Sequence, residues 1–433
     1  MSQYRAYPAY KDSGVEWIGQ VPEHWKIAQI KRISALNPRK STLSEEKDSL
    51  CTFLPMEKLR TNAVILDETR PIHEVYGGYS YFCDGDILIA KVTPCFENGN
   101  IAVANGLVNG IGFGSTEINV LRVNGKGHNR FLYYRLQEEQ FRTIAKSEMR
   151  GTGGLKRVPT DLFESFTIGL PDTDEQATIA ATLDRETARI DALVEKKTRF
   201  IELMKEKRQA LITHAVTKGL DPNVKMKDSG VEWIGQVPEH WKVARVKRLV
   251  SLRNERRNDV STDTIYIGLE DVEAGSGQYK PTNGSSRQSE DSTVGIFYEG
   301  DVLYGKLRPY LRKAIISEMA GCCSTEFLVL RAEKTEPRWL QEWLLTPDVT
   351  HQIESGCEGA KMPRADWGHI GSIEVVYPDQ PEQAQILTTL DRETARIDAL
   401  ISKVEQSITL LKERRSAFIT AAVTGQIDLR GKQ

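Results

Sequence analysis

The sequence is poor in the features that most often announce a function. No apolar run among its 433 residues approaches the ~18–20 that a membrane helix needs. The opening MSQYRAYPAYKDSG lacks the apolar core of a signal peptide. Neither sign dominates the charge: 58 Lys and Arg against 60 Asp and Glu leave a formal net charge of −2. That excludes a uniformly basic coat and confines any nucleic-acid contact to local basic faces. The six cysteines (Cys51, Cys83, Cys95, Cys322, Cys323 and Cys357) form no C-x-x-C pair and no Cys/His cluster of zinc spacing. They read as free thiols of a cytoplasmic protein.

Catalytic signatures are missing as well. There is no G-x-x-x-x-G-K-[ST] phosphate loop and no G-x-S-x-G elbow. A base methyltransferase would show Asn/Asp-Pro-Pro-aromatic. The nearest string, Asn37-Pro38-Arg39-Lys40, lacks the second Pro and the aromatic that stacks on a flipped base. No Gly-rich strand-to-helix turn offers a seat for a dinucleotide or methyl donor. The seven His residues form no constellation. Asp86 and Asp301 recur at the heads of two apolar runs, where Gly-Asp is turn chemistry more often than a metal site. The expectation is a chain with no catalytic residue, no metal and no cofactor of its own.

Repetition fills this gap. KDSGVEWIGQVPEHWK at 11–26 recurs unchanged at 227–242, and LDRETARIDAL at 183–193 recurs at 390–400. Between them the copies align loosely: GDILIAK (85–91) with GDVLYGK (300–306), STE (115–117) with STE (324–326), LPDTDEQ (170–176) with YPDQPEQ (377–383). The offset falls from 216 to 207, so the second copy is nine residues shorter in its middle. The chain is a tandem duplication of a unit of roughly 210 residues. Identical ends point to one job done twice, such as holding the same partner, and divergent middles point to two targets. Drift after duplication, or recombination that refreshed only the ends, is the alternative.

After EQ in each copy, no Pro or Gly interrupts 175–217 or 382–424. Leu183, Ile190, Leu193, Phe200, Met204 and Leu211 lie on a heptad seam broken by Lys197. Leu390, Ile397, Leu400, Val404, Leu411 and Phe418 repeat the register. Each helix can run about 40 residues, roughly 60 Å. Asp172, Asp174 and Asp379 stand near the starts as caps, with Gly219 and Gly425 near the stops. The obvious mate of each helix is the other, and a coiled coil between chains is the alternative. The stretches before the helices carry β-like runs at Ile87–Ala90, Ile118–Arg122, Val302–Tyr304 and Phe327–Arg331, with helix candidates at Asn129–Lys146 and Pro337–Ser355. Trp17, Trp25, Trp233 and Trp241 lie among Val, Ile and Pro, which favours core packing or a subunit contact over base stacking.

Basic clusters recur at matching places. Lys31 and Arg32 answer Lys247 and Arg248. Lys91 answers Lys306, which stands with Arg308, Arg312 and Lys313 around Tyr304 and Tyr310. The Gly-rich loop 150–157 brings Arg150, Lys156 and Arg157, and its counterpart brings Lys361 and Arg364. Such residues neutralise phosphates or read guanine edges. A solvated face is the bland alternative, and recurrence in both copies favours nucleic acid.

The repeated KDSGVEWIGQVPEHW, GDILIAK and GDVLYGK, the two PD-x-x-EQ strings, the two LDRETARIDAL strings and the closing AVTGQIDLR (422–430) together resemble the specificity subunits of type I restriction–modification systems. The resemblance covers nearly the whole chain. It implies an α+β fold: two α/β target-recognition globules of predominantly β character, separated by two long antiparallel coiled-coil helices, pseudo-twofold from internal duplication. The expected divisions are 1–174 (first target-recognition domain), 175–218 (first central helix), 219–381 (second domain) and 382–433 (second central helix and tail). It further implies one half of a bipartite, asymmetric double-stranded DNA site per globule. Two modification subunits would dock on the helices, bind S-adenosylmethionine and methylate adenine, and a motor-nuclease subunit would join them. The rival readings are a standalone methyltransferase or nuclease with an unfamiliar motif, and a coiled-coil scaffold with no DNA role.

Overall fold

Branched apolar residues bounded by turn residues form strands where the sequence suggests them. The computed structural model describes residues 4–431 apart from 44–45, 47, 153, 262, 282–291, 358 and 360. In the first half of the chain, Ile87–Ala90 lies between Ile101–Val103 and Ile118–Val123, and Ser34–Leu36 pairs on the far side of Ile118–Val123, all antiparallel. In the second half, Val302–Gly305 lies between Ala314–Ile316 and Phe327–Ala332, with Val250–Leu252 beyond, in the same order. Every residue of Ile87–Ala90 and Val302–Gly305 is buried. Burial on both faces explains why these runs are apolar throughout and do not alternate.

Each half carries a second four-stranded sheet with one parallel pair. Leu50–Leu54 runs parallel to Ile111–Gly114, flanked by Thr69–Pro71 and Ser80–Cys83. Tyr266–Ile267 runs parallel to Gly321–Cys323, followed by Val294–Phe297 and Arg256–Arg257. The two sheets of a half share a core: Leu54 and Phe82 meet Leu88, Ala102 and Val120, while Phe297 and Cys323 meet Leu303, Ile315 and Val329.

Both mid-domain helix candidates are broken in two. Asn129–Arg135 ends and Glu139–Ser147 begins because the Glu138 carboxylate accepts from the Phe141 and Gln140 N–H groups, an N-cap set inside the apolar pattern. Pro337–Leu344 ends before Pro347–Glu354 because Pro347 has no N–H to continue the ladder and takes the first position of a new helix.

The long helices are Thr173–Lys218 and Gln380–Val423. Their inward residues follow alternating four- and three-residue steps: Leu183, Thr187, Ile190, Val194, Lys197, Ile201, Met204, Arg208 and Leu211 in one; Leu390, Thr394, Ile397, Ile401, Val404, Ile408 and Leu411 in the other. Leu193, Phe200 and Leu400, expected on the seam, are exposed. Each precedes an apolar residue that takes the seam (Val194, Ile201 and Ile401), so two registers were readable and the strict 4–3 alternation selects the second. Leu183, Ile190, Met204, Leu390, Ile397, Val404 and Leu411 are buried or half-buried.

Two compact units divide the chain, and each takes part of both helices. The first comprises Met1–Lys197 with Gln406–Gln433, the second Thr198–Glu405. Within the first, Ile179, Ala180 and Leu183 share a core with Phe418, Ile419 and Ala422. Within the second, Ile212, Ala215 and Val216 share one with Ile386, Leu387 and Leu390. Each helix therefore starts in one unit and ends in the other.

The repeated sequences meet at the helix starts. Asp172 and Asp379 cap the helices by accepting from the Glu175 and Glu382 N–H groups at 2.9 and 3.0 Å. Trp25, buried, donates its indole N–H to Glu175 Oε1 at 3.2 Å, and His24 Nε2 lies 2.7 Å from Oε2. Trp241 and His240 hold Glu382 the same way, at 3.0 and 2.7 Å. The next residue, Gln176, donates to the Pro171 and Lys126 carbonyls and accepts from the His128 N–H; Gln383 donates to the Pro378 carbonyl and accepts from Thr335 and the Glu336 N–H. Each PD-x-x-EQ string thus caps a helix, buckles it to V-P-E-H-W, and bridges to the preceding domain. Trp17, by contrast, is exposed and stacks on Phe166, and Trp233 is half-buried against the second unit's core.

Helix ends use the same tryptophans. Gly425 (φ +76°) ends the second helix against Pro22 and Trp25, where a Cβ would come within 2.4 Å of the proline ring. Gly219 (φ +77°) ends the first against Trp241. The first unit adds Tyr7, whose hydroxyl donates to Glu175 at 2.8 Å, and Arg430 at 3.8 Å, brought there by the bridge between Arg5 and Asp428. Burial, then the Glu175 carboxylate, pushes the Tyr7 phenol well above its ordinary range. Glu175 is buried while Glu382 is partly exposed. Glu175→Ala strands more buried donors, so denaturant unfolding should show a loss of about 2–4 kcal/mol, with a smaller loss for Glu382→Ala. Equal losses would mean that Tyr7 and Arg430 add nothing to this contact.

Candidate nucleic-acid interface

Lys91 and Lys306 follow the central strands Ile87–Ala90 and Val302–Gly305, and in each unit the chain then turns against a loop some sixty residues downstream. Val92 forms a bridge with Arg157, which also pairs with Arg150 through two backbone hydrogen bonds. The Thr93 N–H donates to the Lys156 carbonyl, and the Thr93 hydroxyl accepts from the Lys156 N–H at 3.0 Å and donates to the Gly154 carbonyl at 2.7 Å. The Val158 N–H returns to the Lys91 carbonyl at 2.8 Å. Four of the residues singled out in the sequence, Lys91, Arg150, Lys156 and Arg157, are thereby gathered into one corner.

The second unit builds the same corner. Leu307 forms a bridge with Arg364, the Arg308 N–H donates to the Pro363 carbonyl, and the Ala365 N–H donates to that of Lys306. Lys306, Arg308 and Arg364 converge, and Lys361 is exposed on the same loop. Arg308 (φ 53°) and Arg312 (φ 48°) flank the turn Pro309–Leu311 in the left-handed region, which non-glycine residues seldom adopt. Such backbone clusters at functional sites. Tyr310, between them, is exposed. Arg312 and Lys313 are engaged by the Leu345 and Leu269 carbonyls.

Each corner also holds a carboxylate that charge reasoning passed over. The Lys91 N–H donates to the Glu117 carbonyl, and Arg157 Nε and Nη2 fork onto the Glu117 carboxylate at 2.7–3.1 Å. The Lys306 N–H donates to the Glu326 carbonyl, and Arg364 Nη2 donates to Glu326 Oε1 at 3.0 Å. The Arg157 hydrogen bonds, with added charge from Lys91, hold Glu117 below the usual carboxylate range. The recurring STE triplet was the visible trace of this pairing.

Lys31 and Arg32 lie elsewhere, exposed on the turn Ile30–Arg32 that packs against the helix Thr160–Ser165. Lys247 and Arg248 are placed alike on Val246–Arg248, against Trp367–Ser372. The hydrogen bonds that assemble the corners do not include them. Asp86 and Asp301 are structural: Asp86 takes a bidentate pair from Arg122 at 2.6–2.8 Å and the Cys83 N–H, while Asp301 takes Arg253 at 2.8–3.1 Å and the Tyr298 N–H. Among the described residues, no group of three His, Cys, Asp or Glu is placed to hold a metal, and no helix is long and apolar enough to cross a membrane.

Residues 22–203 match the family model described as the type I restriction modification DNA specificity domain. Over those residues, about two fifths of its length, the chain is similar to the DNA specificity domain of type I restriction–modification systems. Among its relatives is the Escherichia coli type I restriction enzyme EcoEI specificity subunit, 32% identical over 38% of this chain. The match spans only 28% of that relative's length. The Methanocaldococcus jannaschii type I restriction enzyme MjaVIII specificity subunit is 25% identical across 95% of both chains. A chain solved in work on complex assembly and conformational transition of the type I R-M system shares the fold, with a TM-score of 0.73 over 94% of this chain and 99% of its own at 16% identity.

Exposure of the corner ion pairs predicts that the corners are separable from folding. Asp86 is buried against Arg122, so Asp86→Ala should cost about 3 kcal/mol or more in denaturant unfolding. Arg157→Ala, at an exposed pair, should stay within about 1 kcal/mol. A large loss from Arg157→Ala would make the corner a folding element.

Proposed function

We propose that this chain is the DNA sequence-recognition subunit of a type I restriction–modification complex, with each compact unit reading one half of a bipartite, asymmetric double-stranded site. The observation that carries the reading is the basic corner built twice, from segments far apart in sequence, at equivalent places in two units whose other surfaces differ. Lys and Arg there can neutralise phosphates, and an Arg fork can read a base edge. Two-fold proteins read palindromes, and diverged copies relax the palindrome while keeping the spacing.

On this reading the long helices form an antiparallel pair and the whole chain is pseudo-twofold. Two ion pairs support it: Arg415 reaches Asp191 at 2.9 Å in the first unit, and Arg208 reaches Asp398 at 3.1 Å in the second. Asp191 and Asp398 are the same residue of the repeated LDRETARIDAL, each met by an arginine of the other helix. The repeat also leaves Arg185, Arg189 and Leu193, and likewise Arg392, Arg396 and Leu400, on an exposed face. Burial does not require that identity, and two docked copies of one modification subunit would. Those subunits would carry S-adenosylmethionine and the adenine chemistry, with a motor-nuclease subunit as a further partner; this chain would supply address and geometry, in the cytoplasm.

Exchanging residues 27–170 for the equivalent segment of a related specificity subunit tests the reading. Methyladenine mapping with the assembled complex should show one half of the methylated sequence changed and the other intact. Change in both halves, or in neither, contradicts two independent readers.

A further inference from the structure

A surface that only attracted phosphates would gain nothing from an acid at its centre, yet both corners keep one. Glu117 and Glu326 close the two STE triplets, and each engages the arginine of its own corner. The copies diverge beside this pair, as at Thr93 against Arg308 and Lys156 against Pro363, but the pair is retained.

The chemistry of the pair is directional. A guanidinium carries five N–H donors in one plane. Glu117 engages Nε and Nη2 of Arg157, which fixes that plane and leaves the Nη1 edge uncommitted to it. Arg364 meets Glu326 through Nη2 alone, and Glu326 Oε2 is buried without a hydrogen-bond partner. The second corner therefore holds a further acceptor on which the same fork can close. Both arginines remain exposed beyond their carboxylates. Among the described residues, each carboxylate's hydrogen bonds go to this arginine, so anchoring it is what the carboxylate does.

We propose that Glu117 and Glu326 are specificity-determining positioning residues, each fixing its arginine so that the free edge of the fork meets a base edge, guanine by donor pattern, in the half-site read by its unit. The inference rests on the DNA-reading function proposed above and adds which residues set discrimination. Removing a carboxylate should then lower selectivity without lowering attraction for DNA, because one negative charge leaves the interface as the fork loosens.

The test uses the assembled complex with its modification subunits, carrying Glu117→Gln or Glu326→Gln. Binding to specific and unrelated duplexes is measured across a salt series, alongside methyladenine mapping. Glu117→Gln should relax one position of one half-site by roughly tenfold, the order of one bidentate base contact, with affinity for unrelated duplex unchanged or raised. Glu326→Gln should do so at a position in the other half-site. Arg157→Lys keeps the charge and removes the fork, and should relax the same position as Glu117→Gln. Unchanged selectivity in these variants, or equal loss at both half-sites, overturns the proposal. A wild-type complex without sequence-selective binding would instead overturn the DNA-reading function, and this inference with it.

Discussion

The contact on which the rest of the molecule depends is a carboxylate at the start of a long helix, gripped by a tryptophan and a histidine from a turn between two strands far away in sequence. Glu175 and Glu382 each accept an indole N–H and face an imidazole, within the first turn of a helix of more than forty residues. A helix that long gains little orientation from its own hydrogen bonds, and its direction must be set where it leaves a domain. The buckle does this at the start, and packing of Gly219 and Gly425 on Trp241 and Trp25 does it at the end. The same tryptophan thus receives the beginning of one long helix and the end of the other.

This shared use explains which residues the duplication has kept. KDSGVEWIGQVPEHWK contains the grip, PD-x-x-EQ contains what it holds, and LDRETARIDAL contains the aspartate that the opposite helix meets. Divergence is concentrated where these constraints are absent. Cores of the two units differ freely, with Phe131 and Tyr133 in one and Trp339 and Trp343 in the other, because many apolar sets fill a given volume.

Much of this was legible in the sequence. The central strands, the long helices and their stops follow from apolar runs, the absence of Pro and Gly, and repeat boundaries. The seam was legible only to within one residue, since Leu193-Val194, Phe200-Ile201 and Leu400-Ile401 offer two apolar neighbours each. The break at Glu138 was hidden because capping competes with periodicity and leaves the apolar pattern intact, whereas the break after Leu344 is marked in the sequence by Pro347. At the candidate site the basic residues were visible, but not which of them meet. Lys91 and Arg157 come together through backbone pairing, which leaves no trace in charge spacing, while Lys31 and Arg32 looked equivalent and lie on another element. The acids escaped notice because a search for positive charge passes over the carboxylate that orients it.

Under the proposed function, with the helices as an antiparallel pair between two readers, helix length is the ruler of the DNA site. Inserting one heptad after Arg199 and another after Gln406 keeps the 4–3 seam in phase and lengthens the pair by about 10 Å. At ~3.4 Å per base pair along a strand, the gap between half-sites should grow by roughly three base pairs, with both half-sites unchanged. Methyladenine mapping of that variant measures the gap directly. A folded, active complex that kept the original gap would contradict the account and leave the helices as attachment surfaces alone.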